Sequence, residues 1–332
     1  TGGLGIYLAV VLPMIAGILA IAVGLSDRAV AMFPELARHL PGIMSKSTDA
    51  VALIAGVSVL HIVGVIDDRR PLGPFVKLAI MLAVTTAVVV ITNSRLLTLV
   101  DTQLGMPWLS LFIAVLWIGA ITNAMNFLDN MDGLTGGVAA IAGSFFLAAA
   151  ILHGQWFIAA TLALLVGGCL GFLIFNFPAP KASIFMGDGG SLVIGFLLGF
   201  LTVRTTFYDA GAASPDISGG WYGVFMPVIV LAVPLYDFCS VTIIRLRAGR
   251  SPFVGDLNHL SHRLVRRGLS KRDAVLCIYG LTAITAVSAI PLGSLQPWQA
   301  KLVGLQTVLV LLVLALFEGR ATDRPPPQDV AR

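Results

Sequence analysis

Long apolar runs broken by short polar stretches set the pattern of this chain. A bilayer core about 30 Å thick needs about 20 mostly apolar helical residues. Ten stretches meet that need, at about 4–25, 48–66, 75–92, 109–125, 134–152, 156–175, 191–207, 223–246, 273–291 and 297–317. Stretches of this length are unlike the short alternating strands of an outer-membrane barrel, so each predicts a helix. Gly and Pro inside them fit a membrane bundle, where close packing needs small residues. The expected fold class is all-α, a polytopic helical bundle.

Composition excludes the soluble alternatives. Hydrophobic residues make up 57% of the 332, charged residues only 11%, and mean hydropathy is +0.93. A soluble domain carries about 25% charged residues. Disorder, a disulfide-stapled mini-protein and an ordinary cytosolic enzyme are ruled out. Cys169, Cys239 and Cys277 share no paired spacing and read as buried small hydrophobes.

The net charge of +4 points to membrane orientation and not to nucleic acid. The loops after the even-numbered runs hold 15 of the 21 Lys and Arg residues. The positive-inside rule puts those loops in the cytoplasm. Residues 1–317 then form one integral-membrane domain, with active-site loops at about 67–77, 122–137, 175–191 and 246–272. Residues 318–332, with Pro325-Pro326-Pro327, read as a disordered cytoplasmic tail. The expected location is a bacterial inner membrane, with the active site facing the cytoplasm. No internal repeat of the kind that marks many transporters is visible.

Most polar residues of chemical interest fall on that same face. Asp67-Asp68-Arg69-Arg70 closes the second run. It reads either as a solvated helix end or as an acid pair that a cation would stabilise. It lacks the third Asp of the aspartate-rich prenyl-diphosphate motif. Lys77 follows at the next helix start, to snorkel or to meet a phosphate. Asn123, Asn126, Asp129 and Asp132 recur every third residue before Gly133. They either cap neighbouring helices or line one side of a helix end beside a ligand. Gly187-Asp188-Gly-Gly-Ser191 reads as a capped loop, or as an acid presented to a metal at a helix start. It is no P-loop, because the Gly-Lys-Ser/Thr ending is missing. The basic loop holding Asp256, His259, His262 and Arg263 suits a diphosphate better than zinc, since a third zinc ligand is lacking. Asp237 is an intramembrane acid, and Arg245 two turns on is too far for a direct pair. Carboxylates beside Lys and Arg at a membrane face suit Mg²⁺ plus phosphates.

In this order the four motifs resemble the polyprenyl-phosphate N-acetylhexosamine-1-phosphate transferases, relatives of the phospho-N-acetylmuramoyl-pentapeptide transferases. The resemblance covers nearly the whole chain. It implies catalytic acids Asp67 and Asp68, and Mg²⁺ ligands Asn126 and Asp188, with Mn²⁺ able to substitute. It implies a phosphate contact at Lys77. Asn123, Asp129 and Asp132 would lie beside the nucleotide, with Phe185 stacked on uracil. His259, His262 and Arg263 would lie near the sugar diphosphate. Two positions depart from the family's pattern. Ser261 replaces the middle histidine of His-x-His-His, and Asn130 stands where many relatives have Gly. Thr1-Gly2-Gly3 resembles the end of the family's first cytoplasmic loop, which implies one further span ahead of it.

The implied reaction is phosphoryl transfer. Undecaprenyl phosphate attacks the β-phosphorus of a UDP-N-acetylhexosamine, giving lipid-diphospho-sugar and UMP. Implied partners are both substrates and membrane lipid, with a homodimer as a candidate assembly and no nucleic acid. Two alternatives stand beside this reading. The muramoyl-pentapeptide enzyme would carry a compact triple histidine. An ion-coupled transporter would need acids near the bilayer midplane, where Asp237 is the main exception.

Overall fold

The computed structural model describes residues 1–23, 31, 40–97, 101, 103–106, 108–177, 181–205, 225–252, 257–290, 292 and 295–319. Asp256 of the basic loop and tail residues 320–332 lie outside the described residues. Every regular element among the described residues is a helix. In chain order they are α1 (Gly2–Ala22), α2 (Leu40–Ser45), α3 (Ser47–Arg69), α4 (Pro74–Ile91), α5 (Leu109–Leu128), α6 (Leu134–Leu152) and α7 (Trp156–Asn176). There follow α8 (Asp188–Thr205), α9 (Met226–Val230), α10 (Ala232–Arg247), α11 (Leu260–Arg266), α12 (Lys271–Val287) and α13 (Pro297–Gly319).

Eight of these, α1, α3, α4, α5, α6, α7, α8 and α13, are long and apolar enough to cross a membrane. The protein is a multi-pass helical membrane protein. The remaining two expected spans take a different form. The 223–246 run is two helices, because the chain leaves helical geometry at Leu231 (φ −95°, ψ 18°). Pro234 is the third residue of α10, where a missing N–H breaks no helical bond. The 273–291 run gives the 17-residue α12, which starts among Lys271, Arg272 and Asp273. Its N-cap Ser270 accepts a hydrogen bond from the Asp273 N–H at 3.1 Å.

The centre of the bundle is α8. It packs against α1, α3, α5, α6 and α7, and 89% of it is buried. Small residues permit that crowding. A Cβ on Gly195 would come within 2.6 Å of the Thr122 backbone, and one on Gly199 within 3.0 Å of Ile118. This is the small-xxx-small contact of membrane helices, where close van der Waals packing replaces the hydrophobic drive of water. At the periphery, α13 exposes Leu305, Val308, Leu312, Val313 and Leu316. Cys239 and Cys277 are exposed too, contrary to the sequence expectation; only Cys169 is buried. Apolar surface facing lipid carries no penalty, so hydropathy does not separate core from periphery here.

Candidate active site

The C-terminal end of α3 meets the N-terminal ends of α4 and α8 and the C-terminal end of α5. Lys77, one turn into α4, donates to Asp188 Oδ2 at 2.5 Å and to Asp67 Oδ2 at 3.0 Å. One ammonium thus neutralises acids from two helices. Asp67 also accepts from the Leu72 N–H at 2.7 Å, so both its oxygens are engaged. Asn126 Nδ2 donates to Asp188 Oδ1 (2.9 Å) and to Ser191 Oγ (2.8 Å). Asp68 turns the other way and accepts the Asp188 N–H at 2.8 Å. A carboxylate there satisfies an orphan helix donor and complements the positive end of α8.

Two glycines allow this junction. A Cβ on Gly64 would lie 2.4 Å from the Gly189 nitrogen, so its absence lets the α3 backbone close on that of α8. Gly187 sits at φ +71°, and a Cβ on it would meet Asp68 Oδ2 at 2.5 Å. Buried His61 adds a further tie, with Nδ1 2.8 Å from the Gly189 carbonyl and its ring stacked on Tyr7 at 4.3 Å.

The three-residue spacing from Asn123 to Asp132 divides between helix and turn. Asn123 and Asn126 are on α5, Asp129 is its C-cap, and Asp132 lies exposed in the turn beyond. The Asn123 amide donates back to the Gly119 carbonyl at 2.8 Å. Depth among protein atoms, followed by the charge of Asp188, pushes Asp129 up to about 7, and Asp68 and Asp132 add to this. The turn is held by a residue that motif reading passed over. Buried Asn176 accepts the Gly133 N–H and donates to the Ile184 carbonyl, both at 2.7 Å. Its sequence signal is an amide closing an apolar run. Phe185 is 61% exposed, its ring free beside this turn's tether.

The histidine motif occupies a second region. Asp237 on α10, 1% exposed, accepts the Leu260 N–H at 2.6 Å and holds His259 Nδ1 at 2.9 Å. His259 Nε2 lies 3.5 Å from the Arg245 guanidinium, which also donates to the Pro252 carbonyl at 2.7 Å. Asp237 and Arg245 are therefore linked through His259 and not directly. His259 is buried in this chain of contacts. Arg263 is engaged as well, with Ser240 Oγ at 2.8 Å and Glu318 Oε2 at 3.1 Å. Tyr236 donates to the same Glu318 oxygen at 2.8 Å. Glu318 is thus a partner of the motif from the last turn of α13. His262 remains half-buried; burial, then the charges of His259, Arg266 and Lys271, lower its pKa below the usual value. The structure brings Asp67, Lys77, Asn126 and Asp188 into direct contact, with Asp68 bound to the backbone at Asp188. Arg263 and His259 are held from behind by α10 and α13.

Comparison with known proteins finds relatives over most of the chain. The sequence model described as Glycosyl transferase family 4 matches residues 50–206, the stretch that holds the acid junction. The chain is 30% identical over 285 residues to the "Probable undecaprenyl-phosphate N-acetylglucosaminyl 1-phosphate transferase" of Bacillus subtilis, covering 84% of this chain and 76% of the relative. It is 34% identical over 312 residues to the decaprenyl-phosphate N-acetylglucosaminephosphotransferase of Mycolicibacterium smegmatis, covering 85% and 73%. With the undecaprenyl-phosphate alpha-N-acetylglucosaminyl 1-phosphate transferase of Escherichia coli K12 it shares 28% over 272 residues, 80% and 70% of the two chains. The chain belongs to the polyprenyl-phosphate N-acetylhexosamine-1-phosphate transferase family. As a member of that family it is a phosphoglycosyltransferase. The family match over 50–206 ends before Asp237, Arg245 and Glu318, the residues that anchor the histidine helix.

Proposed function

We propose that this enzyme transfers N-acetylglucosamine-1-phosphate from a UDP-sugar to a polyprenyl phosphate, of the undecaprenyl type, at the cytoplasmic face of a bacterial inner membrane. The observation that carries the reading is the junction of Lys77 with Asp67 and Asp188 beside Asn126. The acceptor phosphate oxygen forms a bond to the β-phosphorus. The bond from that phosphorus to the bridging oxygen breaks, and UMP leaves with the electron pair. Negative charge gathers on phosphate oxygens throughout, so catalysis is positioning plus electrostatic stabilisation.

The donor set suits a hard cation. Asp67 and Asp188 already converge on one ammonium, and the amide of Asn126 lies alongside. Among the described residues no three His, Cys, Asp or Glu side chains form a complete metal cage. A few protein oxygens completed by water and phosphate is the usual Mg²⁺ arrangement. Asp188 and Asn126 would hold Mg²⁺, which supplies charge neutralisation on the diphosphate. Lys77, now hydrogen-bonded to Asp188, would serve as the ammonium that contacts a phosphate oxygen. Because both oxygens of Asp67 already accept hydrogen bonds, a positioning role for it is favoured over that of general base. Phosphate monoesters are largely ionised near neutral pH, so a base is not required. The exposed face of Phe185 offers a stacking surface for uracil. Both oxygens of Asp237 are taken up by His259 and the Leu260 N–H, a structural tie that counts against the transporter reading.

The test incubates purified full-length protein with UDP-GlcNAc, undecaprenyl phosphate and Mg²⁺, and quantifies UMP and lipid product. UMP release that requires both lipid and metal is expected. Folded protein that releases no UMP from any UDP-N-acetylhexosamine overturns the reading.

A further inference from the structure

Asn130 follows the C-cap of α5, and Ser261 is the second residue of α11. The Ser261 hydroxyl donates to Asn130 Oδ1. Asn130 Nδ2 donates to the Phe127 carbonyl at 2.8 Å, which fixes which end of the amide faces Ser261. Ser261 is 1% exposed, so no water competes for its hydroxyl. Beside this contact the Phe127 ring meets His259 edge-on at 6.0 Å. These two contacts join the turn bearing Asp129 and Asp132 to the helix bearing His262 and Arg263. The two side chains touch each other across the boundary between that turn and that helix.

We propose that Asn130 and Ser261 are a matched positioning pair that fixes the histidine helix against the acidic turn, and so sets the width of the UDP-sugar site. The proposal rests on the transferase reading above. Neither side chain is asked to touch the reacting atoms. The pair works through its length: a hydroxyl reaches a primary amide across the interface. A larger ring at 261 has no room while Asn130 is present, because overpacking a closed contact forces its neighbours to move. Exchanging Ser for His adds as many side-chain heavy atoms as exchanging Asn for Gly removes. The two changes together keep the volume of the interface.

The experiment uses full-length protein carrying N130A, S261A, both together, S261T, S261H, or N130G with S261H. It measures KM and kcat for UDP-GlcNAc, and thermal unfolding without substrate. Loss of one buried hydrogen bond predicts a KM rise of about fivefold for N130A and for S261A, with kcat within about twofold. The double alanine variant should be no worse than the poorer single, since contacting residues are non-additive. S261T should keep the wild-type KM. S261H alone should lose activity or fold poorly, and N130G should restore it. Wild-type behaviour of S261H alone, or additive effects of the two alanines, overturns the pair. If the wild type transfers no sugar, the transferase reading fails on its own. The pair is then judged by the melting cycle, where independent shifts overturn it and a non-additive shift supports it.

Discussion

The acid junction and the histidine helix are neighbours built on opposite plans. At the junction the motif residues bind one another: Lys77 holds Asp67 and Asp188, and Asn126 holds Asp188. In the histidine region they are bound from outside: Asp237 holds His259, and Glu318, Ser240 and Tyr236 frame Arg263. On the proposed reading a cation and phosphates reorganise the first cluster, whose charges lie in mutual contact and partly open to water. The histidine helix is tied by groups from α10 and α13 that lie largely out of water. Substitutions at the first region should therefore change chemistry, and those at the second should change stability and substrate affinity.

The largest separation is expected from Asp188→Ala. It should lower kcat by at least about 100-fold, the scale of losing a charge-stabilising group, and remove Mn²⁺ binding seen by electron paramagnetic resonance. Unchanged Mn²⁺ affinity would sink its assignment as a ligand. Next is Asp237→Asn, which breaks a buried network at a cost of about 3–5 kcal/mol. The melting temperature should fall by more than for Asp188→Ala, and KM for the UDP-sugar should rise. A wild-type melt with unchanged KM would erase the contrast between the regions. Glu318→Gln keeps an acceptor for Tyr236 but loses the charge facing Arg263. A KM rise of about three- to tenfold is expected, since a charge-assisted contact is roughly twice as strong as a neutral one. No change in KM would place Glu318 outside the site's support.

A last effect, spread over about three pH units, sharpens the comparison through pH. Asp129 titrates at about 7 when folded and near its usual 3.8 when unfolded. Between those values the unfolded chain has released a proton that the folded chain retains. Stability of metal-free protein therefore falls as pH rises from about 4 to 7, by at most about 1.4 kcal/mol per unit, and levels off above 7. Asp129→Asn should remove that component from melting curves recorded without divalent ions, while an unaltered slope would assign it elsewhere.

Much of the junction was legible. Its acids, amides and glycines lie near helix ends in the sequence, and the loop charges place those ends on one side. The second region was less so, for reasons of geometry. Asp237 stood out as an acid in an apolar run, yet its partners His259 and Leu260 lie across an intervening loop. Arg245 meets that network at His259, across the same loop. Glu318 read as the start of a tail, but α13 runs on to Gly319 and carries it to Arg263. The break at Leu231 falls in unbroken apolar sequence, where hydropathy registers no change. Ser261 and Asn130 read as two separate departures; only the fold makes them one contact.

The central position of α8 has a consequence for biogenesis. It has the lowest hydropathy of the eight long helices, 1.2, and the highest burial, 89%. A segment of that kind partitions into lipid less readily than any of its neighbours. Its effective solvent is the set α1, α3, α5, α6 and α7, all synthesised before it. Helix α7 packs directly on α1 and α6, and α1 on α3, but the helix that touches all five is complete only when residue 205 leaves the ribosome. The insertion of the helix that begins with Asp188 is then the step at which those spans gain their centre and the acid junction closes.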